Sequence, residues 1–282
     1  MDVCREIRAL HGMQAFKALA DKLLALAAAR EAGADVRLPG YLFVDAPGAG
    51  TSTRLRLLAR LLEETGLWRF SGERTAFEWM LDAKAFEPEG GFDRLLEEIA
   101  CMAGFRGRFC GVIGLDVDCW VSRADRKEFS RLLELVRAAR GDILFVFIVR
   151  ERRGEEMADF VRRLSWVTPL EVVRSPLPAR REMARCMAGF LFARGIETRA
   201  DAALEQTVEA LSSLRGFHGL CTLELAAEEA AYRLRCADAA PRMRVRGEDV
   251  ARALSGEGGL LQRLALRSPA RRMGFAEGGS GE

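Results

Sequence analysis

The residues best placed to do chemistry lie in the segment YLFVDAPGAGTSTRLRLLARLLEE, Tyr41 to Glu64. An apolar strand pattern runs into glycines and hydroxyls, and these into a helical pattern. That is the setting in which successive backbone N–H groups and a helix N-terminus hold a phosphate. The phosphate-loop pattern is G-x-x-x-x-G-K-[ST]. Its eight positions are here Asp45, Ala46, Pro47, Gly48, Ala49, Gly50, Thr51 and Ser52, followed by Thr53 and Arg54. Gly50 and the Ser52 hydroxyl keep the pattern, and Ser52 is the position that meets a metal ion. The first glycine is Asp45 and the lysine is Thr51. Both changes oppose a nucleotide. The lysine is a point charge for the outer phosphates. A carboxylate roughly 6 Å from a phosphate charge costs about 2–3 kcal/mol at an effective dielectric near 20. Arg54, one helical turn after Thr51, is placed to compensate in part by reaching back. A plain strand-to-helix turn also accounts for PGAG, and the segment alone leaves both readings open.

Alternating elements position this loop. Residues 5 to 31 suit one or two helices, with Ala and Leu three and four apart. After the strand Tyr41 to Val44, Leu55, Leu58 and Leu62 fall on one helical face, with Leu57 and Leu61 beside them. Thr75 to Leu81 has strand character and Phe92 to Met102 is helical. FCGVIGLDVD, Phe109 to Asp118, is an apolar strand ending in acids. A helix over Lys127 to Arg140 leads to DILFVFIVRE, the most hydrophobic strand. A helix over Glu155 to Leu164 and a short strand around Leu170 to Val173 follow. Strands apolar throughout, alternating with helices, predict a parallel sheet covered on both faces. After Ser175 to Pro178 the strands stop and four helices are expected: Arg180 to Arg194, Ala200 to Leu214, Leu220 to Cys236 and Gly247 to Leu254. The expected division is residues 1–174, 175–256, and 257–282, a basic segment with a disordered tail from Gly274.

The chain has 282 residues, 49% of them hydrophobic and 30% charged, the balance of a soluble globular protein. Its apolar runs, such as Ile143 to Val149, are far short of the ~20 residues of a membrane span. MDVCREIRAL carries acids early and no signal-type apolar core, so a cytoplasmic, membrane-free protein is expected. A net charge of +2 gives no global pull toward nucleic acid. Asn is absent, and Lys occurs only at 17, 22, 84 and 127. The seven cysteines include evenly spaced Cys101, Cys110 and Cys119, but only His11 and His218 exist to complete a metal site, so reduced core thiols are expected.

The order of these pieces resembles the AAA+ ATPase superfamily, nearest the branch of red-type rubisco activase and stage V sporulation protein K, from about Ile7 to Leu254. IRALHGMQAFKAL is similar to that branch's opening helices and LLEETGLW to the exit of its loop helix. GVIGLDVDCW lies on its acidic strand. DFVRRLSWVTPLEVVRSPLPARREM resembles its arginine-finger segment, short strand and lid approach, and RVRGEDVAR its last lid helix. The implied fold is α/β, a P-loop NTPase-like parallel sheet with helices on both faces, followed by a small all-helical lid.

The resemblance also implies roles. Asp116 takes the position of the magnesium-orienting aspartate. Val117 stands where the family keeps the glutamate that activates water, and a valine takes no proton. Asp118, expected on the same strand face as Asp116, is the candidate stand-in. At the sensor position of the next strand stands Arg150, and Gly216 to Leu225 contains no sensor arginine. Arg163, with Arg162 beside it, holds the arginine-finger position. Phe86, in KAFEPEGG, lies where the branch has its pore loop, and a packed loop Phe is the plainer reading. LALRSPARRMGF could meet an acidic partner or nucleic acid, with a solvated tail the default.

The parts that serve the subunit's own nucleotide are therefore damaged, and the part that serves a neighbour's is kept. The expected function is a non-catalytic AAA+-like subunit in a ring with an intact AAA+ homologue, lending Arg163 to it, with ATP and Mg²⁺ binding weak or absent. One rival is a divergent ATPase that binds and slowly hydrolyses ATP, with Arg54 and Asp118 as substitutes, to remodel a protein substrate. The other is a loader-type DNA-associated module, against which the near-neutral charge argues.

Overall fold

The computed structural model describes residues 2–68, 78–82, 94, 97, 111–123, 127–152, 154–214, 216–238, 240 and 242–266. Phe86 and its loop, Cys101, Cys110 and residues 267–282 lie outside the described residues; of the helix expected over residues 92–102, only Arg94 and Glu97 are described, both helical. The chain divides into two compact units, Met1–Ala179 and Arg180–Glu282.

The first unit opens with α1 (Asp2–Ala9) and α2 (Gln14–Glu31), then runs β1 (Gly40–Asp45), α3 (Thr51–Glu64), β2 (Glu78–Asp82), β3 (Gly111–Asp116), a 3-10 helix (Asp118–Arg123), α4 (Lys127–Ala139), β4 (Ile143–Arg150), α5 (Glu155–Ser165) and β5 (Leu170–Ser175). The five strands form one sheet in the order β2-β3-β4-β1-β5, each pair parallel. Alternation of side chains across the pleat builds two cores. Leu42, Val44, Ile113, Leu115, Phe145 and Phe147 pack against the 3-10 helix, α4 and α5. Tyr41, Phe43, Val112, Leu144, Val146 and Ile148 pack against α1, α2 and α3. This explains strands without polar alternation: the apolar residues of β1, β3 and β4 lie under helices on one face or the other, while Val172 and Arg174 of β5 are exposed. The leucines predicted on the α3 face are all buried. Gly40, where β1 begins, has no room for a side chain: a Cβ there would sit 2.9 Å from Thr168 Cγ2, while its N–H donates to the Pro169 carbonyl at 2.8 Å.

The second unit contains α6 (Arg180–Ala193), α7 (Ala202–Ser212), α8 (Gly219–Ala237), α9 (Gly247–Ser255) and α10 (Leu260–Leu266) around its own apolar core. It is not all helical. β6 (Ile196–Glu197) and β7 (Met243–Arg244) pair in parallel. Two-residue strands show no periodicity, so the sequence pattern could not reveal them. One carboxylate joins two helix starts: Asp201 accepts from the Leu204 N–H at 2.9 Å, capping α7, and from the Gly247 N–H at 3.2 Å. No helix among the described residues is long and apolar enough to cross a membrane.

Candidate functional site

The carboxyl ends of β1, β3, β4 and β5 carry Asp45, Asp116, Arg150 and Ser175. In parallel α/β sheets this is the edge at which ligands bind. Asp45 lies in register with Arg150 on one side and Ser175 on the other, while β4 separates β1 from β3 and its Asp116.

Between Asp45 and Thr51 the chain makes a tight turn. Gly48 and Gly50 have φ of 72° and 77°, left-handed values that disfavour any residue with a Cβ, so both glycines of PGAG are needed for the turn itself. The Ala49 N–H donates to the Ala46 carbonyl at 3.1 Å and the Arg54 N–H to Gly50 at 3.1 Å. Gly50 caps α3 with no side chain, so the first-turn amides of Thr51, Ser52 and Thr53 lack intrahelical acceptors and carry the positive end of the helix dipole. The backbone part of an anion cradle is present. Pro47 and Ser52 are exposed, and Ala49 is buried.

The charged part is arranged otherwise than the spacing suggested. Arg54 does not reach back over the loop. It is 0% exposed, the largest fully buried side chain described, and its cation lies 4.8 Å from the centre of the Phe43 ring. Its Nη2 donates to Asp45 Oδ2 in a short ion pair, and its Nη1 donates to Ser175 Oγ at 2.8 Å. The Thr51 hydroxyl donates to the same Asp45 oxygen at 2.6 Å. The two positions at which the loop departs from the phosphate pattern are thus bonded to each other and to Arg54. Asp45 is 4% exposed, and its Oδ1 and Arg54 Nε have no hydrogen-bond partner among the described residues. Burial pushes the Asp45 carboxyl above its ordinary value, against the charge of Arg54 and the hydrogen bonds from Arg54 and Thr51.

On β3 the strand ends at Asp116, whose carboxylate accepts the Asp118 N–H at 3.1 Å. Asp118 is therefore not on the strand face of Asp116, as expected from alternation: the chain turns there into the 3-10 helix. Its carboxylate fastens the end of β4 instead. Oδ1 accepts the Arg150 N–H at 2.9 Å and Oδ2 accepts from Arg152 Nη2 at 2.6 Å. Val117, between them, is fully buried in the α4–α5 core, and its N–H donates to the Ile148 carbonyl at 2.9 Å. A glutamate at this position would sink into an apolar cluster. Val117→Glu is expected to cost about 1–3 kcal/mol, as a carboxyl taken up without a partner. Urea unfolding measures it, and a wild-type midpoint would show that the side chain escapes the core.

Arg163 lies on α5, half-buried, and donates from Nε to Asp159 Oδ2 at 2.9 Å; the more exposed Arg162 donates to the other oxygen of the same carboxylate. Hydrogen bonds from Arg163 and then Arg162 hold the Asp159 carboxyl below its ordinary value. Trp166, in the turn that follows, is 73% exposed. In the second unit His218 precedes α8, and its N–H donates to Thr222 Oγ1 at 2.8 Å. Among the described residues no cluster of His, Cys, Asp and Glu is placed to hold a metal ion, and no described cysteine forms a disulfide.

This architecture, a five-stranded parallel sheet with a loop-to-helix turn at its carboxyl edge, followed along the chain by a small mainly helical unit, has the fold of solved AAA domains. It is similar to the structure of C. elegans PCH-2, with a TM-score of 0.54 at 13% identity over 89% of this chain and 69% of that one. It is also similar to the FIGL-1 AAA domain, with a TM-score of 0.56 at 16% identity over 87% of this chain and 81% of that one. The same domain in complex with ADP gives 0.55 and 16% over 92% and 88%. At such identity the likeness establishes the fold. The sequence matches no protein-family model and no curated protein.

Proposed function

We propose that this chain is a degenerate AAA+ subunit of the rubisco activase and sporulation protein K type, one that completes or regulates a ring with an intact homologue and does not itself turn over ATP. The observation that carries this reading is the Arg54–Asp45 pair beneath the loop. A triphosphate needs cations at the loop mouth. Here the lysine position is a threonine that bonds an aspartate, and Arg54 is turned inward and already paired. The unpartnered Oδ1 of Asp45 adds negative charge near the place where phosphate charge would be held. These residues fit a nucleotide triphosphate poorly. Ser52 and Asp116 remain as the hydroxyl and carboxylate that would hold a magnesium ion, without the charge that would bring its nucleotide. Val117 leaves the water-activating position without a base.

A second reading keeps weak nucleotide binding, because the loop glycines and first-turn amides retain the backbone cradle, and a protein of similar fold is described in complex with ADP. Isothermal calorimetry with ATP and magnesium separates the two. The loss of a charge-assisted contact and the gain of a repulsion remove several factors of ten in affinity, about one for every 1.4 kcal/mol. The expected result is no heat of binding below millimolar ATP. A dissociation constant in the low micromolar range sinks the reading. The role toward the ring rests on Arg163, which stands at the arginine-finger position of the family the sequence resembles and whose guanidinium would stabilise charge on a neighbour's phosphates.

A further inference from the structure

The polar groups around Asp45 form one closed chain of bonds. Thr51, the first residue of α3, donates to Asp45, the last residue of β1. Arg54, in the first turn of α3, donates to Asp45 and to Ser175, the last residue of β5. The backbone closes the ring, with the Ala46 N–H donating to the Ser175 carbonyl at 3.1 Å. Two strand ends, the loop and the first turn of its helix are therefore tied through a single guanidinium that solvent does not reach. Just past Ser175 the chain leaves the first unit, at Ala179.

We propose that this network is a built-in replacement for the bound nucleotide: the Arg54–Asp45 pair holds the loop and the end of β5 in one conformation whatever nucleotide surrounds the protein. The inference deepens the reading of the loop as a lapsed nucleotide site and rests on it. Its physical basis is the difference between an internal and an external ligand. An anion drawn from solution orders the loop only while bound, so the loop's state follows its concentration. A carboxylate carried on the neighbouring strand end is always present. Arg54 lacks any other acid within hydrogen-bonding distance among the described residues, and an arginine does not lose its proton at physiological pH. Solvent does not reach the guanidinium to compete for the bond while the fold is closed. A buried pair of this kind adds little net stability over an apolar replacement and is better suited to fixing one arrangement.

That last point gives the test. Amide hydrogen exchange is measured at Ala46, Ala49 and Arg54, whose N–H groups donate to the carbonyls of Ser175 on β5 and of Ala46 and Gly50 in the loop, on the isolated chain without a partner. In the wild type these amides are expected to be protected without nucleotide and unchanged by millimolar ATP–magnesium. In the uncharged double variant, Asp45→Val with Arg54→Met, the unfolding midpoint is expected to stay near that of the wild type while the three amides exchange at least about tenfold faster, as for a local opening freed of its tie. If that variant does not fold, Thr51→Val with Ser175→Ala removes both hydroxyl partners and leaves the ion pair, with the same acceleration expected at smaller size. Equal exchange in wild type and variant overturns the proposal, and so does wild-type exchange that slows on adding ATP–magnesium. Because no partner is present, the lock can fail while the ring role stands, and the ring role can fail while the lock stands.

Discussion

Arg54→Met is expected to destabilise the first unit by about 3–5 kcal/mol, the cost of leaving a buried charge without its partner. Methionine fills most of the space of the arginine stem. What is lost is the cation that meets Asp45, which is 4% exposed and would keep only the Thr51 hydroxyl. Asp45→Val is expected to cost a similar amount, since Arg54 is wholly buried and would keep only neutral partners. The two changes together are expected to restore most of the loss, because two uncharged side chains of suitable size replace a buried pair at little cost. The double-mutant cycle, read by urea unfolding, thus has a large coupling energy. For a unit of this size the single changes lower the melting temperature by roughly 6–20 °C. Single variants that each stay within about 1 kcal/mol of wild type, with additive effects, would show that the pair is not the buried tie described above.

The other large effect is expected in trans. With an active neighbour in the ring, Arg163→Ala is expected to lower the neighbour's ATPase by about 10³ or more, the worth of an arginine finger in well-studied nucleotide enzymes. Stability should barely change, because Arg163 forms a half-exposed pair one turn apart on a helix. Arg162→Ala should do less, since Arg162 points further into solvent while sharing the same Asp159. Asp159 holds the two arginines side by side, so Asp159→Ala should loosen the geometry and give an intermediate loss. The assay uses a partner found by pull-down, with its ATPase compared at matched occupancy by wild-type and variant chains. An unchanged partner rate with Arg163→Ala removes the in-trans role and leaves a scaffold that inherited an ATPase fold.

The sheet and its two helical faces could be read from the sequence because β1, β3 and β4 are apolar at consecutive positions and α3 places its leucines three and four apart. The loop was recognisable for a related reason: two glycines with left-handed torsions between a strand and a helix leave a composition signal. The partner of Asp45 was not. Arg54 sits nine residues later on the next element, and nothing in a linear pattern tells whether an arginine in the first turn faces the loop mouth or the protein interior. The signal available is that Asp45 and Arg54 are the two charges in the otherwise uncharged stretch from Leu38 to Leu55. Asp118 differs from expectation for another reason: strand alternation ends with β3 at Asp116, and two residues on the chain turns into a 3-10 helix. The β6–β7 pairing is too short for any period to reveal.

These placements also bear on attempts to restore an ATPase. Changing Asp45→Gly, Thr51→Lys and Val117→Glu together rebuilds the loop residues and the base in sequence. It also leaves Arg54 buried without its acid and a carboxylate in the α4–α5 core. A rebuilt enzyme needs Arg54 changed as well. The most direct measurement of the central claim is magnesium-dependent phosphate release by the purified wild-type chain alone. No release above background is expected, because the loop lacks its cation and the acidic strand its base. Steady, magnesium-dependent turnover that copurifies with the chain and disappears in Asp116→Ala would contradict the account.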